Sequence, residues 1–226
     1  MEKRRYLCLM DIPIFSGMDK ADLSSFCYNT RKQQVKKKEF LFRQGDPEDI
    51  VYYIKTGIFK LIKITEEGEE VIIQLVGPGE TIGETSLFRE GTLSPISAVA
   101  IEDAMVCSIT RKSIEKLIIE KPQIALQIIG NLSNRLYDTW ERITEMNTQT
   151  IQEKIMSFFI QSAKEYGEDC LDGTIIKFYL TQQEIASIVG ASRVMVSHAL
   201  QEIIKNGSIE RQKKYYVLKN KCIIKM

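Results

Sequence analysis

The chain has 226 residues, of which 44% are hydrophobic and 27% charged, which predicts a globular protein with room for two domains. No segment approaches the roughly 20 apolar residues that cross a bilayer, and the N-terminus lacks the apolar stretch of a secretion signal. We therefore expect a cytoplasmic protein without membrane contact. The five cysteines are widely spaced and His198 is the only histidine, which argues against disulfides, a zinc site or a His-dependent catalytic triad.

Positive charge is concentrated towards the C-terminus. The whole chain has a net charge of only +1, yet residues 191–226 carry eight Lys or Arg against two Asp or Glu. A basic end on a nearly neutral body fits contact with DNA phosphates better than contact with a membrane.

The N-terminal half is dominated by strand patterns. Residues 12–31 predict a short helical lead-in, whereas residues 33–109 contain short apolar, β-rich runs separated by turn residues. Many short strands at regular spacing predict an antiparallel sandwich or barrel. The runs are 40–42, 51–54, 58–62, 71–76, 96–100 and 105–109.

Helical patterns follow. Ser113 is predicted to open a helix and Pro122 to end it, and apolar residues then recur at spacings of three, four or seven over 123–146. This predicts one long helix with one stripe for its own barrel and another for a second chain; the alternative is a helix buried in a monomer. A further helix is predicted over 150–165.

Residues 180–207 have the spacing of a helix-turn-helix. Thr181 and Glu184 form the pattern of a capping box, and Gly190 suits a tight turn because only glycine takes positive φ without steric cost. Ser192 is predicted to cap the second helix, and Asn206-Gly207 to end it. The alternative is an ordinary helical hairpin.

The second helix predicts one buried and one exposed face. Val196, Leu200 and Ile203 would face inward, which leaves several side chains on the outer face near the N-terminal end, where such helices contact base edges in the major groove. These are Arg193, Val194, Ser197 and His198. Residues 209–218 then predict a strand, a basic turn at Lys213-Lys214 and a second strand. Such a hairpin is either the wing of a winged helix or a solvated basic loop.

Several short motifs occur together along the chain. They are Ile12–Gly17, Gln44-Gly45-Asp46, Tyr53–Gly57, Gly77–Glu80, Ile82-Gly83-Glu84 followed by Ser86-Leu87-Phe88, and Thr181–His198. With them, the chain resembles the catabolite activator (CRP/FNR) family of bacterial transcription regulators over nearly its whole length. The resemblance implies an α+β fold with a cyclic-nucleotide-binding-type β-barrel (jelly roll) at 1–121, a dimerisation helix at 122–147 and a winged helix-turn-helix at 148–226.

The same resemblance implies a function. A homodimer would bind a palindromic operator in double-stranded DNA, with half-sites about one helical turn apart, and RNA polymerase would be a further partner. An effector in the barrel, against the long helix, would reorient the recognition helices (Arg193–Gln201). The implied DNA-contacting residues are Thr181, Gln182, Ser192, Arg193, Val194, Ser197, His198, Lys213 and Lys214.

The effector is less clearly implied. Members of the family that bind cyclic AMP use a Gly-Glu pair for the ribose, which Gly83-Glu84 match, and an Arg-Ser pair for the phosphate, where this chain has Ser94-Pro95. A buried phosphate without a cation is costly, so we do not expect cyclic AMP. The effector-binding positions that the resemblance implies are Gly83, Glu84, Thr85, Ser94, Ser97, Thr139 and Trp140.

Other effectors also meet obstacles. An iron–sulfur cluster would need more closely spaced cysteines than Cys8 and Cys27, and a haem histidine ligand is missing because His198 lies in the DNA helix. Trp140 replaces a small polar residue of cyclic AMP binders. It could stack on an organic effector or pack in the dimer interface, and both readings stay open.

The recognition positions predict an unusual operator. Many family members carry Glu and Arg where this chain has Val194 and His198, and without Glu the acceptor for a cytosine amino group is lost. Val194 favours a thymine methyl group, so we expect an A/T-rich half-site; regulators of anaerobic halo-respiration in the family also carry Val there. Arg193 could contact guanine or phosphate.

Some residues also fit two rival functions. Acidic residues on both sides of Gly68 could suggest acid–base catalysis, but they fit a solvated hairpin tip, and no phosphate-binding loop or nucleophile elbow is present. We expect no enzymatic activity. A regulatory module that uses its helix-turn-helix on another protein is the second rival, and it would lack steeply salt-dependent binding to duplex DNA.

Overall fold

The computed structural model describes residues 30–47, 49–84, 91 and 93–219. The chain divides into two compact units: the first comprises residues up to 139 except 70–72, and the second comprises 140–226 together with 70–72. Most of the predicted lead-in helix at 12–31 lies outside the described residues. At its last residue the prediction is wrong, because Arg31 begins a strand. The strand was not recognisable from the sequence because its polar residues are exposed on an edge strand and show no apolar alternation.

The first unit contains two antiparallel four-stranded sheets, with strand orders β1-β8-β3-β6 and β2-β7-β4-β5. All predicted strand runs are present, so the predicted β domain is confirmed. Strands β1 and β6 were not predicted, since β1 is largely polar and β6 has only two residues. The strands are β1 (Arg31–Val35), β2 (Phe40–Phe42), β3 (Ile50–Thr56), β4 (Phe59–Ile64), β5 (Glu70–Val76), β6 (Thr81–Ile82), β7 (Ser97–Ala100) and β8 (Ala104–Thr110).

The central strands β3 and β8 of the first sheet are buried on both faces. One face meets the second sheet in a core that includes Ile54, Val106 and Phe59. The other face presents Val51 and Tyr53 from β3 to a helical layer. Alternate side chains of a strand point to opposite faces, so β3 needs apolar residues at successive positions.

The helical layer consists of α1 (Arg111–Glu120) and the start of α2 (Gln123–Thr148), separated at Pro122 as predicted. The helix α1 is capped by Thr110, whose Oγ1 accepts the backbone N–H of Ser113 at 3.3 Å. The prediction that Ser113 opens this helix is therefore wrong by one turn. Thr and Ser are both good caps. Because β8 ends at Thr110, the helix begins directly after that residue and Thr110 becomes the cap.

Helix α2 is 26 residues long, slightly longer than predicted. On one side of α2, Ile124 and Ile128 are buried against the first sheet, and Leu132 beside them is partly buried. A second apolar stripe remains exposed.

The second unit contains α3 (Ile151–Tyr166), α4 (Gln182–Val189) and α5 (Arg193–Lys205), with a sheet of order β11-β12-β10-β9. The strands β11 (Ile209–Gln212) and β12 (Tyr215–Lys219) form the predicted hairpin. A second hairpin, β9 (Gly167–Cys170) and β10 (Gly173–Ile176), was not predicted because β9 is short and polar. No helix within the described residues is long and apolar enough to span a membrane.

Candidate DNA interface and effector pocket

The helix-turn-helix begins with the predicted capping box. Thr181 Oγ1 accepts the backbone N–H of Glu184 at 3.2 Å, and Glu184 Oε2 accepts the backbone N–H of Thr181 at 2.8 Å. Helix α4 ends at Gly190, whose φ of 66° lies in the left-handed region. Ser192 Oγ then caps α5 by accepting the N–H of Met195 at 3.3 Å. All three of these predicted local features are present.

Helix α5 has the predicted two faces. Val196, Leu200 and Ile203 are buried, whereas the opposite face near the N-terminus is open to solvent. Arg193, Val194 and His198 are exposed and Ser197 is half-buried. Met195, which the sequence reasoning missed, is 51% exposed. It lies beside Val194 in the first turn of the helix.

The predicted basic turn is at the tip of the β11–β12 hairpin. Lys213 adopts a φ of 56°, and both Lys213 and Lys214 are exposed. Arg211, also exposed, adds a third cation that the sequence reasoning did not single out; its Nε donates to the carbonyl oxygen of Lys213 at 3.3 Å. Of the other predicted contacts in this unit, Thr181 and Ser192 are exposed and Gln182 is half-buried.

In the first unit, Gly83 follows β6 in a tight position. Its φ is 98°, and a Cβ there would lie 2.5 Å from the carbonyl oxygen of Ile50. The backbone therefore passes too close to β3 for any side chain. This close approach places the next residue, Glu84, inside the domain, where it is 1% exposed.

The buried Glu84 carboxylate is held by two residues. Its Oε1 lies 2.6 Å from Arg135 Nη1 and accepts the hydroxyl of Thr81 at 3.0 Å, while Arg135 Nη2 donates to the carbonyl oxygen of Thr81 at 2.6 Å. The second oxygen, Oε2, is also buried and has no hydrogen-bond partner among the described residues. An unsatisfied buried acceptor is costly, and a hydrogen-bond donor that reached Oε2 would relieve that cost.

Burial raises the pKa of the Glu84 carboxyl, and the Arg135 guanidinium and the hydrogen bond from Thr81 oppose that shift. The sequence reasoning missed Arg135. It lies one helical turn before Thr139, and that i, i+4 spacing on a helix expected to line the pocket was the available signal.

The remaining predicted effector-binding residues of the first unit, apart from Thr139, are Thr85, Ser94 and Ser97. Thr85 lies outside the described residues. Ser94 is buried and its Oγ donates to the carbonyl oxygen of Ile96 at 2.8 Å; Ser97 is buried and its Oγ accepts the N–H of Gln44 at 2.8 Å. Both hydroxyls are thus already engaged with backbone groups.

The two helix positions are open to solvent. Thr139 is exposed and its hydroxyl donates to the carbonyl oxygen of Arg135 at 2.7 Å. Trp140 is 52% exposed. Thr139 is the last residue of the first unit and Trp140 begins the second.

Known protein families match both units. Residues 32–121 match the cyclic nucleotide-binding domain, and residues 153–221 match the Crp-like helix-turn-helix domain. The transcriptional activator protein Anr of Pseudomonas aeruginosa is 28% identical over 81% of this chain and 75% of its own length. The CRP-like cAMP-activated global transcriptional regulator of Mycobacterium tuberculosis is 26% identical over 89% of each chain.

Solved structures show the same fold. That of CLP, the c-di-GMP responsive global regulator of Xanthomonas campestris, matches with a TM-score of 0.76 at 24% identity, over 89% of this chain and 100% of that one. The relatives are transcription regulators and not enzymes, so the prediction that this chain is not an enzyme is confirmed. A cyclic-nucleotide-binding-type β domain followed by a Crp-like helix-turn-helix shows that the chain belongs to the CRP/FNR family of DNA-binding transcription regulators.

Proposed function

We propose that the chain acts as a homodimer that binds a palindromic, A/T-rich operator and responds to a small effector in its β domain. The observation that carries this proposal is the exposed N-terminal face of α5, in the same unit as a hairpin with a basic tip. We assign effector sensing to residues 1–121, dimerisation to 122–147 and DNA binding to 148–226. DNA binding places the protein in the cytoplasm, with RNA polymerase as a further partner.

The chemistry of the α5 face supports the operator assignment. Val194 is 65% exposed and offers only methyl groups, which fit a thymine methyl and cannot accept from a cytosine amino group. Arg193 begins the helix and is exposed, so it can donate to guanine or to phosphate. The cations Arg211, Lys213 and Lys214 suit phosphate contacts, which position the protein without selecting a sequence.

The exposed stripe of α2 supports the dimer. We define the α2 stripe as the five apolar residues on this helix that recur at spacings of three, four or seven and are between 49% and 71% exposed. They are Leu126, Ile129, Leu136, Trp140 and Ile143. A sustained apolar stripe of this period packs against a second helix, and the symmetry of two identical chains pairs the stripe with itself.

The cluster around Glu84 supports an effector other than cyclic AMP. The buried Oε2 of Glu84 fits a hydroxyl or N–H donor such as a ribose would supply. A phosphate does not fit, because Arg135 is already paired with Glu84 and residues 91–110 contain no Lys or Arg. Removing Arg135 from Glu84 to bind an anion would leave a buried carboxylate without a counter-ion.

We therefore propose an uncharged effector with a hydrogen-bond donor, and no iron–sulfur cluster or haem. Trp140, as a member of the α2 stripe, would pack in the dimer.

Selection of binding sites from random duplex DNA tests the proposed function. The wild-type protein should enrich an inverted A/T-rich repeat, and Val194→Glu should enrich a different half-site with a cytosine, because a carboxylate accepts from its amino group. Ile119→Glu, which adds the same charge at an exposed position on α1, is the matched control and should select the wild-type site. If Val194→Glu also selected the wild-type site, α5 would not contact bases as proposed.

A further inference from the structure

Arg142 connects the C-terminal part of α2 to the helix-turn-helix within the second unit. Its Nη2 donates to the carbonyl oxygen of Ile188 at 3.3 Å. Burial lowers the pKa of Arg142, and Glu145 opposes that shift, but arginine stays protonated in proteins. A half-buried cation is therefore placed at the end of α4.

The hydrogen bond from Arg142 satisfies a carbonyl group at the C-terminal end of α4. The last carbonyl groups of a helix lack partners within the helix and carry partial negative charge. Ile188 belongs to the last turn of α4, and that turn contains no basic residue of its own. Arg142 supplies from α2 the positive charge that α4 lacks.

A second contact lies one turn further along α2. A Cβ on Gly190 would lie 3.1 Å from Met146 Cε, so the turn of the helix-turn-helix abuts Met146. The carbonyl oxygen of Met146 also accepts from Lys154 Nζ of α3 at 2.6 Å. The last two turns of α2 thus contact the turn at Gly190 and the start of α3 together.

We propose that Arg142 is a positioning residue for DNA binding, which holds the turn of the helix-turn-helix, and with it α5, against the C-terminal end of α2. Helix α5 is capped at Ser192, only two residues after Gly190, so an anchor on the turn sets where the recognition helix starts. The inference rests on the proposed dimer: if α2 pairs with its copy, the anchor sets the separation of the two α5 helices. Arg142 does not itself contact DNA in this proposal.

Spacing of the half-sites gives a readout that a merely structural residue would not change. The probes are the duplex selected by the wild-type protein and the same duplex with two base pairs inserted between its half-sites. Arg142→Met should bind the selected duplex about tenfold more weakly, as expected for loss of one charged hydrogen bond, and should discriminate less between the two duplexes. Arg142→Lys should restore most of the discrimination, and the matched charge control Lys112→Met, on the exposed face of α1, should behave as wild type.

Hydrogen exchange tests the anchor without DNA. The backbone N–H groups of Gly190 and Ala191 both donate to the carbonyl oxygen of Ala186, and in Arg142→Met they should exchange faster while amides of the β domain stay unchanged. Arg142→Gln, which keeps a donor without the charge, is the second variant if Arg142→Met does not fold.

Wild-type exchange at the turn together with wild-type spacing discrimination in the folded variant would overturn the inference. If the wild-type protein selected no two-fold site, the proposed dimer function would fail instead, and the exchange of these two amides would still decide the role of Arg142.

Discussion

The exposed α2 stripe predicts a dimer whose stability can be worked from the structure. Its five residues are each about half exposed or more, and removing such a fraction of a large apolar side chain from water contributes about 1 kcal/mol. Over two copies this amounts to about 10 kcal/mol, comparable with the cost of association, which is on the order of 4–15 kcal/mol. Replacing any one residue of the stripe should therefore weaken the dimer measurably.

Leu136→Asp tests this directly. Each copy loses about 1 kcal/mol of apolar burial and gains a carboxylate facing apolar neighbours, so we expect a total loss of about 2–4 kcal/mol, or about 30- to 1000-fold in the dimer dissociation constant. Sedimentation over a range of protein concentrations measures that constant, and circular dichroism confirms that the variant is folded.

The control for this experiment is Ile119→Asp. Ile119 is 81% exposed but lies on α1, outside the α2 stripe, so its replacement should leave the dimer constant unchanged. A folded Leu136→Asp variant that dimerises like wild type, or a wild-type protein that is monomeric, would refute the reasoning.

Two further predictions concern the buried Glu84 and the left-handed Gly190. Because burial raises the pKa of Glu84, the folded chain keeps that proton where the unfolded chain has lost it, so stability should fall as pH rises from the ordinary to the raised pKa. Thermal unfolding against pH should show a smaller fall in Glu84→Gln, and an equal fall would assign it to another group. Gly190→Ala should lower the free energy of unfolding of the DNA-binding unit by about 1–2 kcal/mol because of the positive φ. In denaturant titrations Gly190→Asn should lose less, since Asn tolerates that φ; equal losses would point to crowding at Met146 instead.

Local rules were sufficient for the helix-turn-helix itself. The cap at Thr181, the turn at Gly190 and the cap at Ser192 each depend on residues only a few positions away in sequence. Their chemistry can therefore be recognised along the chain. The outer face of α5 then follows from helical periodicity alone. Met195 was missed because an apolar residue in an exposed first turn contradicts that same pattern.

Contacts distant in sequence were not predictable in the same way. Arg135 meets Glu84 across 51 positions of the chain, and Arg142 meets Ile188 across 46. The sequence neighbours of Arg142 do not distinguish it from a solvated helical cation, and the one signal for Arg135 was its i, i+4 spacing to Thr139. The two-residue strand β6 and the polar strand β9 form because neighbouring strands pair with them, which short-range patterns do not contain.

Native mass spectrometry of the purified protein mixed with its selected duplex tests the central claim most directly. The account predicts two chains bound to one duplex, and any extra retained mass should belong to a small uncharged molecule, at no more than one per chain. A single chain on each duplex, or a dimer that retains a cyclic nucleotide, would contradict it.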